Sequence, residues 1–316
     1  MAKLKDKIEN GLNDVRILIL GAQVLIGAGF RVFFEPDFSS VPQSTQVAQL
    51  GGLGLMLLGL GPLMLPAAFH QIVEHGEETA RIKNLASVVL NFGLLPFAVG
   101  LAASIFMVAQ KISGNGMAWA AATMMGMLAL VLWYGIGYLN YDGSRKATTA
   151  KKDRQDEAEM RKQGTPLTDK IKQVLTETRM VLPGTQALLG FQVVIFLMQA
   201  FDRLPKNLQW THFGSLAAVA ISAVLLIAPA AFHRIAEHGE DSERFHRIAS
   251  TFMLWAMFFL GLGLAGDFFV IAWKVSQSYT WAACSAGALL LFFYCLWFGY
   301  SGWKRWSEKK QSAFSH

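Results

Sequence analysis

Eight separate stretches of this chain are long and apolar enough to cross a lipid bilayer as helix: residues 15–34, 47–69, 85–109, 117–139, 180–200, 213–232, 249–273 and 281–300. A crossing takes roughly 20 such residues. Inside hydrocarbon the backbone finds no water, so every N–H and C=O of a spanning segment bonds within that segment, which for runs of this length means an α-helix. The chain reads as all-α, a polytopic membrane protein with eight transmembrane helices. Its composition agrees: 53% of the residues are apolar and only 16% are charged, which is not the balance of a soluble globule. The formal charge of +6 comes from Lys and Arg lying between the apolar runs rather than on one basic face. It is a topology signal, and nucleic acid is excluded as a partner.

The eight runs are four runs written twice. Residues 4–113 laid on 167–276 at an offset of 163, without a gap, are identical at 37 of 110 positions. This is an internal repeat, and it sets the domain plan: a first four-helix repeat over 1–141, a charged linker over 142–166 and a second repeat over 167–316. An even number of helices per copy returns the chain to its starting side, so the repeats are parallel. Of the 28 Lys and Arg, 23 fall on the side of the N-terminus, leaving Arg31, Lys111, Arg203, Lys206 and Lys274 on the other. By the positive-inside rule both termini are cytoplasmic. Leu4, Ile8 and Leu12 recur as Leu167, Ile171 and Leu175 among charged residues, a spacing that predicts an interfacial helix ahead of each first span. Met1 to Asn10 is charged and leads into no short apolar segment with a cleavage site, so a removable signal peptide is not expected. Cys284 and Cys295 stand in one apolar run and form neither a CxxC pair nor a disulfide framework.

The densest identity lies where the second helix of each copy ends. Pro66-Ala67-Ala68-Phe69-His70-Gln71-Ile72-Val73-Glu74-His75-Gly76-Glu77 returns as Pro229-Ala230-Ala231-Phe232-His233-Arg234-Ile235-Ala236-Glu237-His238-Gly239-Glu240, ten of twelve identical. The candidate site residues are therefore His70, Glu74, His75 and Glu77 with their copies His233, Glu237, His238 and Glu240. A helix continuing through Gly76 would line His70, Glu74, Glu77 and Arg81 on one face, repeated by His233, Glu237, Glu240 and Arg244. The short gap between apolar runs favours instead Gly76 and Gly239 as C′ caps, with His75 and His238 ending the helices and Glu77-Glu78 or Glu240-Asp241 opening the next ones. Arg16 and Arg179 stand one turn into the first helix of each copy, at the depth of the motif. An arginine there wants a carboxylate, and Glu74 or Glu77, with Glu237 or Glu240 in the second copy, is the nearest by depth. Asp267 in the seventh helix, opposite Ser104 of the first copy, is a second intramembrane charge, with Arg203 as a partner or an outer ion site as its meaning. His212 and His246 lack counterparts and read as surface residues.

Three readings of these groups stand side by side. One is passage of a small ion or solute, a proton or divalent cation handled by imidazole and carboxylate. A second is a bound metal or haem with a redox role: His70, Glu74, His233 and Glu237 are ligand types for a divalent metal, and haem would need His70 and His233 opposed inside a bundle. The third is a structural role, with the Arg, Glu and His network satisfying a kinked helix end. No Walker loop, GxSxG elbow, HExxH or dinucleotide fingerprint is present, so ATPase, hydrolase and Rossmann chemistry are disfavoured. Expected partners are the lipid bilayer and a small cation or proton, with a homo-oligomer left open.

Arg179, Pro183-Gly184-Thr185-Gln186 and Ala228-Pro229-Ala230-Ala231-Phe232-His233-Arg234 give the second copy a further character. It resembles an uncharacterised family of small bacterial membrane proteins with an Arg-…-Pro-Gly-x-Gln first helix and an Ala-Pro-Ala-Ala-(Tyr/Phe)-His-Arg second helix end. The first copy is looser, with Leu20 for the proline and Gln71 for the arginine. The resemblance implies a fused tandem in the bacterial inner membrane and brings no activity with it.

Overall fold

The computed structural model describes residues 4–135, 156, 158, 164–237 and 240–314. Among them all regular structure is helical, and eight helices are long and apolar enough to span a membrane: α1 Leu4–Val32, α2 Gln43–Ile72, α3 Ala80–Ser113, α4 Asn115–Gly135, α5 Leu167–Phe196, α6 Lys206–Ile235, α7 Glu243–Ser276 and α8 Tyr279–Lys310. Most of the linker expected over 142–166 and the motif residue His238 lie outside the described residues. Corresponding caps recur in the two copies. Thr79 Oγ1 accepts from the N–H of Ile82 at the start of α3, and Ser242 Oγ from that of Phe245 at the start of α7, each satisfying a donor that a helix start leaves open.

The amphipathic stretch ahead of the first span is not a separate interfacial helix. Residues from Leu4 onward continue directly into α1, and Leu4, Ile8 and Leu12 are buried in the protein core. The same periodicity that would face lipid faces protein instead, because the two copies set their first helices side by side. Lys5 bonds Asp169 at 2.6 Å and Lys172 meets Glu9 at 3.5 Å, so the charged flanks of α1 and α5 pair with each other.

The α1–α5 contact is the centre of the molecule. α2 and α3 pack on α1, while α6 and α7 pack on α5. Around this seam the symmetry breaks: α8 and α7 also cover α2, whereas α6 packs on α5 and α7. In consequence 78% of the apolar window of α2 is buried against 39% of that of α6. Trp297 on α8 fixes the covering contact, donating from Nε1 to the Gly61 carbonyl of α2 at 2.8 Å while stacking on Phe293. The outward faces of α3, α4 and α6 carry Phe92, Val99, Met124, Trp210, Val224 and Ile227 exposed, as lipid contact requires.

Candidate functional site

The corner between α2 and α3 turns on glycine. α2 ends at Ile72, ahead of the expected end at His75, and the chain then passes through His75 at φ 51° and Gly76 at φ +81°. The Gly76 N–H donates to the His70 carbonyl at 3.1 Å, closing the helix end. A Cβ at Gly76 would stand 2.8 Å from Nε2 of His246, which is buried here rather than at the surface as expected. Gly76→Ala is expected to cost about 1–2 kcal/mol, from left-handed strain plus displacement of that ring. Chemical denaturation in detergent measures it.

Beyond the helix end three acids divide by environment. Burial pushes Glu74 and Glu78 above the ordinary carboxylate range. Burial acts the same way on Glu77, but its bonds to Lys170 (2.6 Å) and the Thr165 N–H (2.8 Å) hold it below that range. Partial loss of water around the ring, and then Arg305 and Lys309, lowers His75, although much of the residue is open to solvent. Glu78 also accepts from Gln173 Nε2 and donates its own N–H to Thr165 Oγ1, tying the corner to the start of α5.

Glu78 makes a pH prediction. Its folded form keeps a proton that the unfolded chain has lost, so the folded state is favoured below the ordinary carboxylate value. That contribution fades as pH rises through this value toward the raised one. Glu78→Gln removes the fading. The variant is expected to melt higher than the parent at pH 7–8, with the difference closing near pH 4. The comparison is between variant and parent across pH, since Glu74 and Glu77 shape both profiles.

His70 does not point at this corner. It is fully buried, and its Nδ1 lies 3.0 Å from Oε1 of Glu177 on α5. Arg16 Nη2 donates to the same oxygen at 3.4 Å and Gln71 Nε2 donates to Oε2 at 2.8 Å. Arg16 also bonds Asn13 through Nη1 at 2.8 Å, and Ser250 on α7 donates to Oε1 of the Gln71 side chain at 2.7 Å. The partner of Arg16 is therefore Glu177, not Glu74 or Glu77: side-by-side packing of α1 and α5 brings an acid of the other copy closer than the acids past the end of α2. Glu177 is 2% exposed, a carboxylate inside a spanning helix, where a charge is tolerated only in such company. Next to it a cavity of about 10 Å³, lined by Arg16, Pro66, Ala67 and Glu177 among others, is the size of a single water. His70 Nε2 and Arg16 Nε are buried without a hydrogen-bond partner among the described residues.

A second buried charge cluster lies toward the other end of α5. Asp267 on α7 is buried, and its partners are His212 and Gln192 rather than Arg203. His212 Nδ1 is 2.8 Å from Oδ1, Gln192 Nε2 donates to Oδ2 at 2.5 Å, and His212 Nε2 is 3.2 Å from the Gln192 backbone carbonyl. That carbonyl can only accept, so Nε2 carries a proton and the remaining proton is shared between Nδ1 and Asp267. His212, expected at the surface, is 1% exposed, with Phe34, Phe196 and Phe201 around its ring.

A family model described as a family of unknown function, DUF6328, matches residues 2–137 and again residues 164–301. The chain belongs to the DUF6328 family. No curated protein and no solved structure matches it.

Set side by side, the two DUF6328 units use equivalent positions differently. In the second unit Arg179 and Glu240 are exposed, while Glu237 is half-buried. His233 rests on the Phe245 ring with Nε2 3.7 Å from Asp241. Its site is thus unlike that of His70, and the two imidazoles do not face each other as haem ligands would. Among the described residues no group of three or more His, Cys, Asp or Glu could hold a metal ion. His70, Glu74, His233 and Glu237 are accordingly not gathered into a metal centre. At the other end of the bundle the first unit carries Gln49 bonded to Ser104 at 3.5 Å, at the positions where the second carries His212 and Asp267.

Sequence reasoning missed Glu177, His212 and Gln192. Glu177 aligns with Asp14, acid for acid, two residues ahead of the aligned arginines; that repetition was the available signal.

Proposed function

We propose that this protein passes protons across the bacterial inner membrane, with its termini cytoplasmic, and that Glu177 and His70 are the groups that carry them. One observation supports the reading above others: a buried carboxylate just ahead of the apolar run of a spanning helix bonds an imidazole whose second nitrogen is buried and, among the described residues, unpartnered. Glu177 can take a proton as His70 gives one up, and Arg16 stabilises the carboxylate in between. A proton fits where a hydrated cation does not, since the cavity beside the pair has room for about one water. Lys and Arg concentrated on the side of the termini favour a cytoplasmic placement for the cluster.

The test is acidification of purified proteoliposomes containing a pH-sensitive dye, driven by a potassium diffusion potential. Flux that depends on Glu177 is expected. Vesicles as proton-tight with the protein as without it would sink the proposal.

A further inference from the structure

The inner cluster leaves unexplained why a second buried acid and histidine sit at the far end of the same helix. Glu177 and Gln192 are both on α5, fifteen residues apart, which at 1.5 Å per residue is about 22 Å along the axis. That is most of a hydrocarbon core of roughly 30 Å. Midway, Gln23 of α1 donates to Thr185 of α5 at 3.5 Å, and both side chains are fully buried. Thr178, Thr185 and Gln192 recur every seven residues on the buried face of α5, and Arg16 and Gln23 are likewise seven apart on α1. Polar groups therefore follow the α1–α5 seam from end to end. Between them Val181 and Leu188 are buried as apolar collars, so the seam is no open pore.

The stations share a second property. Arg16 Nε, Gln23 Oε1, His70 Nε2 and Gln192 Oε1 are all buried without a hydrogen-bond partner among the described residues. Unpaired polar atoms at this depth are costly, and several along one seam are what transient water would satisfy. Gly184 makes room for the middle station, since a Cβ there would collide with the Gln23 side chain.

We propose that the Asp267–His212 pair is the entry station for protons on the side opposite the termini, and that they travel along the α1–α5 seam by way of Gln192, Gln23 and Thr185 to Glu177. This rests on the proton-passage reading of the inner cluster and supplies its other end. A proton arriving on Asp267 drives the shared one onto Nδ1 of His212, and Nε2 gives up its own proton on the side of the Gln192 carbonyl. Water between the collars relays it past Gln23 and Thr185 to the Glu177 carboxylate, and His70 gives up a proton from Nε2 on the terminal side. One proton enters and one leaves; each imidazole is then left with its proton on Nδ1, and a rotation of the ring returns the pair to its starting arrangement before the next proton arrives.

The fold supplies its own control. The first unit holds Gln49 and Ser104 where the second holds His212 and Asp267, so the double variant His212→Gln/Asp267→Ser transplants a pair that this architecture already accommodates. In the same dye-loaded vesicles it is expected to lose flux about 100-fold while keeping its melting temperature, the low side of what a positioned proton-transfer group contributes. Gln23→Leu is expected to do the same, and Gln49→Leu, off the seam, to leave flux unchanged. Parental flux in both the transplant and Gln23→Leu, with Glu177→Gln inactive, overturns the route and leaves the inner cluster standing. Parental flux in Glu177→Gln overturns the inner cluster and the route together. Should the transplant not fold, the isosteric Asp267→Asn gives the same reading.

Discussion

Glu177→Gln is expected to reduce proton flux about 100-fold or more, the range in which removal of a proton-transfer group falls. The same change leaves Arg16 buried at 5% exposure without a counter-charge. Breaking one side of a buried ion pair typically costs roughly 3–5 kcal/mol, and here the low end is expected because the amide can still accept from His70 or Arg16. Lost flux alone could therefore be lost folding, and two further variants separate them. Glu177→Asp keeps the charge and should retain most of the stability, with flux reduced by the shorter reach. Arg16→Met combined with Glu177→Gln removes both charges; stability should recover relative to Glu177→Gln alone, while flux stays absent. A non-additive stability together with an unrescued flux is the signature of a group that both holds the seam and carries the proton. If the double variant regains flux along with stability, the cluster is structural. Melting in detergent and dye acidification in vesicles read the two quantities independently.

The distribution of what the sequence discloses follows from which interactions are local. Apolar run length is a local property, and the bilayer permits one backbone solution to it, so the eight spans were legible to within a few residues at most ends. The Gly76 break was legible for the same reason, since left-handed backbone favours glycine within a single turn. Buried Arg16 announced that it needed an acid, and His70 that it belonged to a special helix end. What stayed hidden was the partner. Depth along the membrane suggested Glu74 or Glu77, which follow α2 in the chain. The partner lies 161 residues away because α1 packs on α5. Nothing local encodes that packing, and the leucines that would have shown it, Leu4, Ile8 and Leu12, carry the same periodicity that an interfacial helix has. Asp267 was likewise visible as a charge in a span, while its partner His212 looked like a surface residue because its burial depends on Phe34, just past the end of α1, and Phe196, at the end of α5.

His70→Ala and His233→Ala are expected to behave as different kinds of mutation, although the sequence presents the two residues as copies. His70 is 0% exposed and bonds a buried carboxylate; its loss removes one of the donors to Glu177 and opens a cavity beside it. A cost of roughly 2–4 kcal/mol follows from an unmet buried charge contact together with lost packing. If His70 hands the proton on as proposed, flux should fall about as far as in Glu177→Gln. His233 has a side chain 21% exposed and a partner at 3.7 Å, Asp241, itself partly exposed. A surface pair of that kind contributes about 0–1 kcal/mol, and flux should be parental. The double variant should then equal His70→Ala alone in both measurements. Equal and additive losses from the two single variants would mean that both motif copies work, and that the asymmetry created by α8 covering α2 has no functional consequence. Loss of function on the His70 side alone points to a duplicated unit in which one corner kept its buried chemistry by borrowing an acid from the other copy.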